Sequence, residues 1–115
     1  MIELIQSIIN QKLFDALDMS TVDIASDTQS IQSITCYAVQ AYWDSFTGNG
    51  TERIITEGSN DAINWSTLDS FIPTGTTNSR MLNVEKAGYA YVRIHYTCDG
   101  GAVGNLTTRL SGKVI

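Results

Sequence analysis

The feature that most constrains the fold is a strict alternation near the C-terminus. From Tyr89 to Thr97, Ala90, Val92, Ile94 and Tyr96 alternate with Tyr89, Tyr91, Arg93 and His95. A period of two places these sets on opposite faces of a β-strand, one apolar and one carrying polar tips. A strand with one wet face needs a second layer over its apolar face. Tyr37 to Trp43 repeats the pattern, with Tyr37, Val39, Ala41 and Trp43 on one side and Ala38, Gln40 and Tyr42 on the other. The parity that buries Trp43 is expected, because indole contributes most when buried.

Turn signals recur at even spacing: Thr47-Gly48-Asn49-Gly50, Gly58-Ser59-Asn60-Asp61, Pro73-Thr74-Gly75-Thr76, Ala87-Gly88 and Asp99-Gly100-Gly101. The runs between them have strand length and are rich in Tyr, Val, Ile, Thr and Trp. Further strands are predicted at Glu52–Gly58, around Trp65–Leu68, at Arg80–Val84, and at Asn105–Gly112, where Leu106, Thr108 and Leu110 share a face. Upstream, Lys12–Leu17, Val22–Ala25 and Ile31–Thr35 read as shorter strands. Seven to nine strands in 115 residues predict an all-β fold, an antiparallel β-sandwich around one core. A chain of this size buries about two thirds of its unfolded surface, so one sandwich domain over 12–115 is expected.

Residues 1–11 depart from this rhythm. Ile2, Leu4, Ile5, Ile8 and Ile9 could form one face of a short helix or a β-branched arm that pairs with a neighbour. Nine residues are marginal as an isolated helix, so another surface must order them. This N-terminal arm or helix is the expected assembly element.

Seven basic against twelve acidic residues leave a net charge of -5, the wrong sign for a protein that neutralises phosphates, so nucleic acid is not an expected partner. An anionic membrane would repel it, and no apolar run approaches the ~20 residues of a spanning helix. The N-terminus carries Glu3 where a secretory signal needs basic residues, which predicts synthesis in the cytoplasm without a signal peptide. Cys36 and Cys98 belong to no C-x-x-C or Cys/His cluster, so no metal is expected and the pair reads as two reduced thiols.

The segment Glu57-Gly58-Ser59-Asn60-Asp61-Ala62-Ile63-Asn64-Trp65 ends one strand, makes a polar turn and starts the next with an aromatic. It reads as a hairpin whose Ser, Asn and Asp cap the turn, with Trp65 returning to the core. Asn60 or Asp61 as a ligand for calcium or a sugar hydroxyl is the competing use, but the oxygen density of a calcium loop is missing. The Gly-Ser-Asn-Asp-x-x-Asn-Trp turn, followed by Tyr-x-Tyr-Val-Arg-Ile at Tyr89–Ile94, resembles discoidin-like, galactose-binding-fold sandwiches and small virion proteins of tailed bacteriophages. Leu13–Ala16, Tyr37–Gln40 and the closing Gly112-Lys113 extend the resemblance over most of the chain. It implies a jelly-roll or discoidin-like sandwich and a non-enzymatic virion component, such as a capsid decoration, head-fibre or accessory subunit. Its implied partners are the major capsid protein, copies of itself and host glycan. Ala62 stands where the pattern has glycine, which makes a positive φ costly in that turn.

Other chemistry-bearing residues point the same way. His95, the single histidine, shares a face with Arg93 and Tyr91 and has no acid beside it in sequence to orient it as a base. Asp15, Asp18, Asp23 and Asp27 occupy turn-like positions. Asp99–Asn105 lacks the Gly-Lys-Ser/Thr ending of a phosphate loop and reads as a hairpin loop. No catalytic residue and no cofactor is expected. Candidate partner or glycan contacts are Tyr42, Tyr89, Tyr91, Arg93 and His95.

Overall fold

The computed structural model of the chain describes residues 6–114. They form nine strands and no helix: β1 (Gln6–Asp18), β2 (Asp23–Ala25), β3 (Gln29–Ser30), β4 (Cys36–Thr47), β5 (Arg53–Ser59), β6 (Ser66–Phe71), β7 (Asn78–Val84), β8 (Tyr91–Thr97) and β9 (Val103–Val114). One antiparallel sheet has the order β1-β9-β4-β7, and the other β2-β8-β5-β6 with β3 also on β8. β2 and β3 pair with successive stretches of β8 and act as one interrupted edge. Ser26 bridges the gap, its N–H donating to the Ile94 carbonyl at 2.8 Å and its Oγ accepting from the Ile94 N–H at 2.9 Å.

The pairings are nested: β5 with β6, β4 with β7, β2 with β8 and β1 with β9. The chain is thus a double ribbon folded at the β5–β6 turn and rolled up, with β4–β9 and β5–β8 pairs closing the roll. That is a jelly-roll sandwich, and the all-β expectation holds.

Alternation explains the core. Val92, Ile94 and Tyr96 of β8 are fully buried, and Tyr37, Val39, Ala41 and Trp43 of β4 face them from the other sheet with Leu106 and Leu110 of β9. Each such aliphatic side chain contributes about 1.5–3 kcal/mol on burial. Polar atoms carried inward find partners: the Thr108 hydroxyl accepts from the Phe14 N–H at 3.0 Å, and the Tyr96 hydroxyl donates to the Met19 carbonyl at 2.8 Å. Glu52, 1% exposed, accepts the N–H groups of Asn49 and Gly50, each at 3.1 Å. These two bonds pin the loop that passes from β4 to β5. Both thiols are free, Cys98 buried and Cys36 partly so.

Four expectations are corrected. Ile31–Thr35 is a turn, closed by the Ile34 N–H on the Ile31 carbonyl; Ile31 and Ile34 both enter the core, which residues three apart on one strand cannot do. Asp99–Asn105 is no hairpin loop: β9 already begins at Val103, and because β8 and β9 lie in different sheets the residues before it cross between them. Trp65 stays outside the core cluster. Residues 6–11 are neither a helix nor separate from the sandwich: they are the first half of β1, paired with β9 from Gln6↔Val114 to Gln11↔Leu110. Of the proposed arm residues, Ile8 lies in β1 and Ile9 packs against the core, while Ile2, Leu4 and Ile5 lie outside the described residues.

Candidate interaction surface

β8 is central in its sheet, so the face opposite its buried residues is held rigidly between β2 and β5. Tyr91, Arg93 and His95 occupy that outer face, all half-buried. Register places Glu57 of β5 directly across from Arg93, and the Arg93 Nε donates to Glu57 Oε1 at 2.8 Å. With side chains 24% and 12% exposed, this pair is better shielded from solvent than an ordinary surface bridge. The Arg93 guanidinium also lies 4.2 Å from the centre of the Trp65 ring, a cation–π contact that explains why Trp65 remains on the outer face.

His95 continues the row. Its Nδ1 lies 3.5 Å from Glu57 Oε2, and its Nε2 is hydrogen-bonded to the Asp23 carboxylate on β2. The expectation that no acid orients His95 is therefore corrected: two do, brought in from β2 and β5 by strand pairing. With a carboxylate on each ring nitrogen, neither nitrogen is open toward a substrate, so the arrangement builds a cross-strand clasp. Gln32 donates to the Tyr91 hydroxyl at 3.2 Å and ends the row.

The other candidates lie elsewhere. The Tyr89 ring packs edge-on to Tyr37, with centroids 6.2 Å apart and planes at 83°, and their hydroxyls are hydrogen-bonded to each other. Burial pushes the Tyr37 phenol well above its ordinary range. Tyr42 is 43% exposed on β4, hence on the outer face of the opposite sheet. The three tyrosines do not form one platform.

Beside the clasp, the β5–β6 turn and the β7–β8 connection enclose a cleft of about 370 Å³ lined by Gly58 to Asp61, Asn64, Ser66, Leu68, Gly88 and Tyr89. Asp61 organises its rim. Asp61 Oδ1 accepts from the N–H groups of Ile63 and Asn64 at 2.9 and 2.8 Å and from Ser59 Oγ at 2.9 Å, and Oδ2 accepts from Asn64 Nδ2 at 2.8 Å. These donors, the Asn64 N–H foremost, hold the Asp61 carboxyl far below the usual range. Ala62 takes φ 60° in this turn, so the left-handed geometry forms despite its Cβ. No group of three His, Cys, Asp or Glu suited to a metal occurs among the described residues.

The sequence pointed to β8 and to the turn, but not to Glu57, Asp23 or Gln32. They lie 36 to 72 residues from their partners in the row, and only the sheet register joins them.

No family model and no curated protein matches the chain. Among solved structures, the crystal structure of the SPBc2 prophage-derived protein YomS superposes with a TM-score of 0.69 at 12% identity, covering 99% of this chain and 98% of that one. The two share a fold end to end.

Proposed function

We propose that this chain is a non-enzymatic structural protein of a bacteriophage particle, a capsid-associated decoration, head-fibre or accessory subunit acting by protein–protein packing. The observation that carries the reading is the end-to-end likeness in fold to a prophage-derived protein. The β8 clasp supports it, because a cross-strand ion pair, the hydrogen bonds of His95 and a stacked Trp65 stiffen a face as a packing subunit requires. Its partners would be the major capsid protein and further copies of itself, and its location the virion. Mass spectrometry of gradient-purified particles from the phage that encodes the chain should find it in fixed ratio to the major capsid protein. Abundance in the lysate with none in the particles would sink the proposal.

A second reading, a carbohydrate-binding module for adhesion to cell-surface glycan, is favoured by the polar cleft beside the β5–β6 turn. Binding of the protein to a glycan array tests it.

A further inference from the structure

We infer that the cleft between the β5–β6 turn and Tyr89 is a binding site for one or two neutral sugar units, with Asn60, Asn64 and Ser66 as the hydrogen-bonding groups and Leu68 and Tyr89 as the apolar wall. The inference rests on the adhesion reading and assigns it a place and a ligand class.

Size comes first. About 370 Å³ lies at the low end of small-molecule sites, roughly 300–1,000 Å³. It suits a sugar ring or two and is short for an extended peptide. The polar lining is next. The side chains of Asn60 and Ser66 have no partner within the described residues, and Asn64 uses its amide nitrogen on Asp61 while its carbonyl oxygen stays free. These groups offer donors and acceptors together, the mixture that sugar hydroxyls need. A phosphate or carboxylate would instead call for cations, and none lines the cleft.

Charge narrows the class further. Asp61 is the single charged lining residue, and its four internal donors tie it to the turn. It repels anionic sugars and is poorly placed to seat an ammonium group. The wall supplies the apolar part: Leu68 is 38% exposed, and the Tyr89 ring is held in place by Tyr37 through an edge-on contact and a hydroxyl–hydroxyl hydrogen bond. A sugar's C–H face can rest there while its hydroxyls meet the rim.

Gly88 makes the inference testable. Gly88 lines the cleft and a Cβ built there meets nothing within 4 Å, so the backbone accepts a large side chain at the cleft's edge. The experiment is a ¹H–¹⁵N NMR titration of the full chain with glucose, galactose and N-acetylglucosamine at millimolar concentrations. Expected are shifts confined to the amides of 58–66, 88 and 89 and to the Trp65 indole. G88F should abolish them with the rest of the spectrum intact, and N60A and S66A should each weaken binding about five-fold. Sugar-induced shifts that survive G88F, or that fall elsewhere, would overturn the site. A positive glycan array unchanged by G88F would keep adhesion and reject this cleft; silence in both array and titration would reject both.

Discussion

At Ala62 a non-glycine residue sits at φ 60°, where a Cβ costs roughly 1–2 kcal/mol. Glycine removes that cost but adds freedom to the unfolded chain, about 0.4–1 kcal/mol. A62G should therefore stabilise the protein by about 0.5–1 kcal/mol, read as a higher urea midpoint at unchanged slope. Next to it, Asp61 has a folded pKa below its ordinary 3.8, so its contribution is complete above that value and is lost as pH falls through the folded one. Asp18 and Asp99 act in the same sense. The urea midpoint should drop as pH is lowered below about 4, and D61N should start lower at neutral pH yet fall less steeply. Sequence alone showed Asp61 as a turn residue because its partners are local. It could not show the clasp around His95, whose acids are set by register, or the outward position of Trp65, which depends on Arg93 from another strand.

Among the elements, β4, β8 and β9 were legible because each buries one face, so hydrophobic alternation records orientation directly. Ile31–Thr35 misled because two core isoleucines in a turn resemble a short strand in composition. The Asp99–Asn105 segment misled for a different reason: tight-turn chemistry is the same whether a chain returns to its own sheet or passes to the other. Sheet order then ranks the strands by local stability. β4, β5, β8 and β9 have neighbours on both sides, whereas β1, β2–β3, β6 and β7 are edges. Hydrogen exchange should be slowest in the inner four strands and fastest in β2, β3 and β6, the shortest of the edges. Slowest exchange in β6 or β7 would contradict this topology.

For the whole molecule, the nested ribbon makes β1 the outer wrap of its sheet, and that changes what an N-terminal deletion means. Removing residues 1–11 strips the pairs from Gln6↔Val114 to Gln11↔Leu110 and exposes the edge of β9. It should cost about 2 kcal/mol or more, roughly 8 °C or more in Tm. Removing 1–5 leaves every described pair in place, so a change of oligomeric state by light scattering already seen in that shorter deletion would assign assembly to those residues. The closing pair of the roll also sets how the domain responds to tension. Because Gln6 and Val114 are register partners in an antiparallel ladder, a load applied at these two points peels β1 from β9 one pair after another. A load applied elsewhere along the ribbon must shear several ladders at once. Held by both ends the domain is a zipper; held by its faces it is a brace.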